Sequence, residues 1–482
     1  MRPSDPWGGP KILTKKRNGA YTWQVIAGSA ALGLVVATGA VLAAGPWDNG
    51  QRKAERALAA AGDRTGGAHH GHPTPDGPRP APSAPAVLPA LGTTTHDAPQ
   101  DPAALRDTLA PLIGDPGLGD KVAASVIDTA TGEQLYGQGA TTPMTPASTI
   151  KIATATAALS VLGPDHRIAT TAALSPDSRT VTLVGGGDPT LGEAALREMA
   201  ADTADALRED DRDSVRLTYD ISRYTGPVLH PISPNDNIAP VTALMVNEGR
   251  VNDTDRGPAK RTEDPAGDAA RTFAAALKKA GVKVTGAPRE ARAADEARTV
   301  ATHRSAPLDA LVERTLTNSD NDIAEALARQ TAIAKGESAS FAGARRAVTN
   351  ELKKLKVPVG GAHFADGSGL DRKDRVTPAL LTALLARAAD PDRPGLRPVL
   401  TGLPIAGFSG TLGGRYAPDA EGTGLIRAKT GTLFGVNSLA GTVVDRRGRL
   451  LAFAFLASGS IDAGQAEPAL DALATALAGT GG

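Results

Sequence analysis

The chain has 482 residues, enough for two or three domains with a sizeable core. Its 52 Lys and Arg balance 52 Asp and Glu, so no whole-chain field draws it to nucleic acid or to an anionic membrane surface. It contains no Cys, which excludes disulfides, thiolate zinc sites and cysteine nucleophiles without identifying a compartment.

Residues 1–20 carry a basic patch of Lys11, Lys15, Lys16 and Arg17, and Val25 to Ala44 is an uncharged run of twenty residues. At helical rise such a run spans roughly 30 Å, the thickness of the hydrocarbon layer. Residues 21–45 therefore read as a transmembrane signal-anchor, with 1–20 in the cytoplasm and the remainder outside. The competing reading is a cleaved signal peptide, with small residues around Val41-Leu42-Ala43 as the cleavage site. Its apolar region is usually shorter, about 7–15 residues, and on that length the anchor is preferred. Residues 46–100 are Pro/Ala-rich without apolar periodicity and read as a disordered, extended tether. His69, His70 and His72 lie within it. A metal site there would lack groups to orient the imidazoles, so they read as a disordered cluster.

From Asp101 to Gly482 the pattern is globular. KVAASVIDTATGEQLYG (121–137) reads as a β-hairpin turning at Thr131-Gly132. Ser148 then heads a segment with Ile152, Ala155, Leu159 and Leu162 apolar, the spacing of a buried helix ended by Gly163-Pro164. Helical patterns follow between 305 and 400. Three β-rich runs close the chain, the last two joined by a turn at Asp445–Gly448. The fold class expected is α+β, an antiparallel sheet with a helical lobe.

Three short motifs occur on these elements. Ser148-x-x-Lys151 places a hydroxyl and an amine one turn apart on a helical face, at a helix start where backbone N–H groups are free. A serine hydroxyl needs a base to become a nucleophile, and a lysine serves only when neutral. Its reference pKa of about 10.4 would have to fall by roughly three units, as burial beside another cation would cause. Ser319-Asp320-Asn321 stands on a loop between two helices, with Asp322 and Glu325 reading as the start signal of the second. Lys429-Thr430-Gly431 lies on a strand-like run, where the glycine permits close approach of a ligand. Alone, each is as well explained by a cap, a turn or a surface lysine. Ser233-Pro234-Asn235 also fits the second pattern but lies in a Pro/Asn turn.

In this order, separated by 171 and 110 positions, the three form the signature of penicillin-binding proteins and class A β-lactamases. The wording around them, with VGGGDPTL (184–191), DGSGL (366–370) and LPIAGFSGTL (403–412), resembles the D-alanyl-D-alanine carboxypeptidases of the penicillin-binding protein 4 type. The resemblance runs from about residue 105 to 480. It implies a transpeptidase-like fold with an accessory insertion at about 175–295, between the first and second motifs. It implies a serine-type carboxypeptidase acting on peptidoglycan stem peptides, without metal or cofactor, inhibited by β-lactams and anchored outside the membrane. In its terms Ser148 is the nucleophile and Lys151 its base. Ser319 relays a proton to the leaving D-alanine, Asn321 holds substrate and Lys151, and Lys429 attracts the terminal carboxylate. Thr430, Gly431 and Thr432 bind substrate, with the N–H groups of Ser148 and Thr432 as oxyanion hole. Arg372 would contact the acyl side chain, although Asp371 stands where the family usually has a small polar residue. Gly187-Asp188-Pro189 reads as a structural turn. Glu313 does not match the deacylating Glu of class A β-lactamases, and no G-x-S-x-G elbow is present. The alternatives are a β-lactamase or esterase on the same scaffold, a non-catalytic penicillin-binding wall sensor, and added endopeptidase activity.

Overall fold

A computed structural model describes residues 102–480 apart from Pro234, Pro418 and Ile461. The segment at 21–45, the basic residues before it and the linker with its histidines lie outside the described residues. Among the described residues no helix is long and apolar enough to cross a membrane.

Helix α1 (Pro102–Ile113) leads into the hairpin of β1 (Lys121–Asp128) and β2 (Gln134–Gln138). The Asp128 carboxylate closes its turn by accepting from the N–H of Ala130 at 2.8 Å. Strand β1 then pairs along its whole length with β11 (Leu450–Ser458), from the far end of the chain. With β9 (Ile426–Leu433) and β10 (Val436–Val444) the sheet runs β2-β1-β11-β10-β9, every neighbour antiparallel. The predicted turn at Asp445–Gly448 joins β10 to β11, with Asp445 N–H bonded to the Arg449 carbonyl at 3.0 Å.

Both faces of this sheet are covered, and β11 records it. Ala452, Ala454 and Leu456 face one core, while Leu451, Phe453, Phe455 and Ala457 face another. The second core is closed by α1 and the C-terminal helix, through Leu105, Leu109, Leu470, Leu473 and Leu477. Because alternate residues serve opposite apolar layers, the strand reads as a continuous apolar run. The first core belongs to a helical lobe. At its centre runs α2 (Lys151–Leu162), buried at every position from Lys151 to Leu159. Alanine and threonine at six of those positions let α5 (Leu308–Asn318), α6 (Asn321–Ala334), α7 (Phe341–Lys354) and α8 (Pro378–Ala389) approach it closely.

Between α2 and α5 the chain builds a second sheet, from Ala169 in β3 (Ala169–Leu174) to Arg304 in β8 (Arg298–Arg304). This is wider at both ends than the interval read from the sequence, because β3 and β8 lie side by side with Ala169 opposite Arg304. The sheet also holds β4 (Thr180–Val184), β5 (Ser214–Asp220) and two short strands. Helices α3 (Glu193–Glu209) and α4 (Pro265–Lys279) close a core of their own through Leu196, Met199, Leu207, Phe273 and Leu277. The described residues all fall in one compact unit.

Candidate active site

The turn before α2 is tighter than the sequence suggests. Ala147–Ile150 forms a 3₁₀ turn, and Ala147, just ahead of Ser148, has φ +47°. A left-handed alanine costs roughly 1 kcal/mol or more, which the surrounding packing must offset. Gly369 explains part of that packing. At φ +86°, a Cβ there would stand 2.1 Å from the Ala147 carbonyl oxygen. The second serine is also on a left-handed residue: Ser319, at φ 59°, ends α5, and its N–H bonds the Thr315 carbonyl.

Lys151 is fully buried and its amine is held by three oxygens. These are Ser148 Oγ at 2.8 Å, Asn321 Oδ1 at 2.7 Å and the Ser368 carbonyl at 2.5 Å. Burial pushes its pKa down to about 8, and Asp366, Asp320, Glu325 and Asp374 limit the fall. Desolvation, the burial expected from sequence, is the leading cause of the depression. The pKa of Lys429 is likewise driven well below the usual lysine value, by burial first, then by Lys151 and Arg415.

Asn321 is oriented from the far side, its Nδ2 donating to the Asn237 carbonyl of the inserted domain at 2.9 Å. It is the first residue of α6 rather than part of the loop, and the capping group is Asp320, which accepts from the Ile323 N–H. Asp322 and Glu325, expected to start this helix, are buried and serve other partners. Asp322 pairs with Arg261 at 2.9 Å and accepts from the Ala239 N–H. Glu325 accepts from the N–H groups of Gly367 and Ser368 at 2.9 and 3.0 Å and pairs with Arg329 at 2.9 Å. It thereby holds the turn whose Ser368 carbonyl binds Lys151.

Glu325→Ala should therefore destabilise the fold by about 3–5 kcal/mol, since it strands the buried Arg329 and the Gly367 N–H, while the Ser368 N–H keeps Asp366. Glu325→Gln keeps an acceptor and should lose less. Denaturant unfolding of both variants checks the order, and equal losses would refute it.

Strand β9 forms the edge of the main sheet and brings the third motif beside Ser148. Lys429 Nζ donates to the Thr430 carbonyl at 2.7 Å, and Thr430 Oγ1 donates to Thr411 Oγ1 at 2.8 Å. Thr432 Oγ1 donates to Glu467 at 3.2 Å. The glycine of this motif makes room for the protein rather than for a ligand. A Cβ on Gly431 would stand 2.3 Å from Ser438 Oγ and 2.7 Å from the Pro146 carbonyl, against the turn carrying Ser148.

Ser148, Ser319, Asn321, Thr430 and Thr432 line one cleft of about 460 Å³, with Lys151, Lys429 and Gly431 behind its wall. Arg372 stands outside it, donating to the Phe434 carbonyl at 2.8 Å across to the β9–β10 turn. Asp188 is buried in the inserted domain and accepts from Thr190 N–H and Oγ1, as a structural turn does. Three lining residues had no sequence signal: Arg415, held by Asp471 at 2.8 and 3.0 Å, and Arg250 and Arg261 of the inserted domain. Two buried groups beside the site resemble metal ligand sets: His230, Glu325 and Asp366, and Glu248, Asp320 and Asp322. All but Asp320 are already paired with imidazole or guanidinium groups, through His230–Asp366, Arg329–Glu325, Arg250–Glu248 and Arg261–Asp322 contacts, and Asp320 lies 3.9 Å from Arg314.

The arrangement is that of an acyl-transfer site: a hydroxyl, a depressed-pKa amine hydrogen-bonded to it, a second serine across the cleft and a second buried lysine at one end. Comparison with known proteins points the same way. The model of the D-Ala-D-Ala carboxypeptidase 3 (S13) family matches residues 105–258 and 254–479. Carboxypeptidase Rv3627c of Mycobacterium tuberculosis is 38% identical over 420 residues, 83% of this chain and 88% of the relative. Carboxypeptidase DacB of Mycolicibacterium smegmatis is 37% identical over 427 residues, 84% and 90% of the two chains. The crystal structure of penicillin-binding protein 4 (dacB) from Haemophilus influenzae superposes with a TM-score of 0.64 at 22% identity, over 77% of this chain and 98% of that one. That likeness identifies the mixed α+β penicillin-binding fold.

Proposed function

The chain belongs to the D-Ala-D-Ala carboxypeptidase 3 (S13) family, and from that membership we propose how its site carries out the reaction. The activity is that of a serine-type D-alanyl-D-alanine carboxypeptidase acting on peptidoglycan. One observation carries the mechanism: the buried Lys151 amine lies 2.8 Å from Ser148 Oγ.

Neutral Lys151 takes the hydroxyl proton as Ser148 Oγ attacks the carbonyl of the penultimate D-alanine. The N–H groups of Ser148 and Thr432 hold the developing oxyanion, worth about 2.7–4 kcal/mol per donor in comparable sites. The amide breaks, and the proton reaches the leaving amine through Ser319. The terminal carboxylate lies at the end of the cleft defined by Thr430, Thr411 and Arg415, over the buried Lys429 amine. Water then hydrolyses the acyl-enzyme with Lys151 again as base. Arg372, at the β9–β10 rim, contacts the acyl side chain of the stem peptide. A β-lactam, which mimics the D-Ala-D-Ala end, acylates Ser148 in the same way. The uncharged run at 25–44 and the tether after it support a place outside the cell membrane, with the body held near the wall.

The test is incubation of the protein with an N-acylated peptide ending in D-Ala-D-Ala and, separately, with labelled penicillin. D-Alanine release together with a long-lived adduct is expected. Rapid penicillin turnover without D-alanine release would identify a β-lactamase instead, and an adduct without release a wall sensor.

A further inference from the structure

The cleft wall beyond the second motif comes from the inserted domain. A strap from Gly249 to Thr262 is closed at its base by an antiparallel bridge between Arg250 and Arg261. Val251 N–H meets the Lys260 carbonyl at 3.1 Å, and Thr262 N–H the Gly249 carbonyl at 2.8 Å. Arg250 spends its donors inside the strap: on Glu248 at 2.8 Å, on Thr254, and on the carbonyls of Arg256 and Gly257.

Arg261 differs. Its Nη2 donates to Asp322 at 2.9 Å, but Nε and Nη1 are buried and meet no acceptor in the protein. The side chain is only 5% exposed and lines the cleft that holds Ser148, Ser319 and Thr430. Close by, Asp320 also keeps one oxygen, Oδ2, without a hydrogen bond, 3.9 Å from Arg314. Buried N–H groups on a fixed cation are costly to leave unmet, and a ligand that brings oxygens recovers that cost.

The cleft also continues past the place expected for the terminal carboxylate. A second hollow of about 320 Å³ shares Gly257, Asn318 and Thr411 with it and opens onto Arg256. A single released D-alanine does not need this space.

We propose that the Arg261–Arg256 wall is a leaving-group subsite that reads a second carboxylate on the D-amino acid released from the acyl-enzyme. The inference rests on the carboxypeptidase reading and deepens it. The bond made is Ser148 Oγ to the D-alanyl carbonyl carbon, and the bond broken is the amide to the terminal residue. That residue departs as an amine bearing the serine proton, with its α-carboxylate toward Thr430 and its side-chain carboxylate on Arg261 and Arg256. Specificity for the leaving group thus comes from the inserted domain, through a contact separate from the Asn237 carbonyl that orients Asn321.

Matched N-acyl-D-Ala-D-Xaa peptides test it, with Xaa as D-Glu and its neutral isostere D-Gln, and D-Ala as reference. The wild-type kcat/KM for D-Glu release should exceed that for D-Gln by at least about tenfold, the worth of a charge-assisted contact. The ratio should fall toward one in Arg261→Gln, which keeps a donor for Asp322, and should fall in Arg256→Glu, at an exposed position. The leaving ring amine of penicillin stays tethered and carries a single carboxylate with no second acid for this wall, so the acylation rate reports whether each variant's site is intact. A wild-type ratio near one, with D-alanine release normal, overturns the subsite and leaves the carboxypeptidase reading standing. A high ratio unchanged in Arg256→Glu and in a penicillin-reactive Arg261→Gln overturns the assignment to this wall. Absence of D-alanine release from the wild type would instead remove the underlying reading, and the subsite with it.

Discussion

Ser148→Ala should abolish the penicillin adduct and lower D-alanine release on the order of 10⁶-fold, by analogy with other serine acyl-transfer enzymes. No neighbouring hydroxyl is placed to substitute. Thr149 Oγ1 is tied to the Pro146 carbonyl at 2.7 Å, and Ser438 Oγ to the same carbonyl at 2.6 Å. Ser368 Oγ is buried, and Ser319 has no hydrogen bond to Lys151 among those described. The substitution should leave the fold intact, because Lys151 keeps Asn321 Oδ1 and the Ser368 carbonyl. Mass spectrometry of the penicillin adduct, with a thermal melt alongside, separates chemistry from folding. An adduct at the wild-type level in Ser148→Ala would mean that another residue is the nucleophile.

The candidate site was legible in sequence where its geometry is local. Ser148 and Lys151 are three residues apart on one turn, Ser319 to Asn321 is one continuous stretch joining α5 to α6, and Lys429 to Thr432 is a continuous stretch on β9. The continuous apolar run of β11 likewise reflects that strand's own burial on both faces. What escaped were the contacts that tune these groups across long separations. The Ser368 and Asn237 carbonyls that hold Lys151 and Asn321 are backbone atoms, which no residue pattern announces. Asp322 and Glu325 resemble a helix start because an Asp-x-x-Glu pair, three residues apart, often is one. Their partners, Arg261 and the Gly367–Ser368 N–H groups, come from elements about 40–60 residues away, and burial against them decides the role. Gly431 was misjudged for the same reason: its neighbour is the Pro146 turn, nearly 300 positions earlier. Arg415 and Arg261 are single arginines in loops, and only folding brings them to one cleft.

Lys151→Met should lower the second-order rate of acylation by about 10²–10⁴-fold, the usual worth of a positioned general base. Methionine fills the buried channel without introducing a charge, so the loss reads on proton transfer rather than on an unpaired cation. The pH profile gives the sharper test. Lys151 acts as a base only when neutral, and burial places its pKa at about 8. Below that value the neutral fraction falls tenfold per pH unit, leaving about one molecule in ten competent at pH 7. The wild-type kcat/KM should therefore rise with pH, bend near 8 and level off above it. This quantity reports the free enzyme, so a substrate carboxylate arriving over Lys429 does not distort it. In Lys151→Met the bend near 8 should vanish, whatever activity remains. Weakening the groups that pull this pKa upward should move the bend toward lower pH. Asp366, first among them, also ties the turn carrying Ser368 through the N–H groups of Ser368 and Gly369. Asp366→Asn is therefore expected to shift the bend downward and to loosen the contact that positions the base. A wild-type profile flat from pH 6 to 9, or a bend retained in Lys151→Met, would show that the titrating base is some other group.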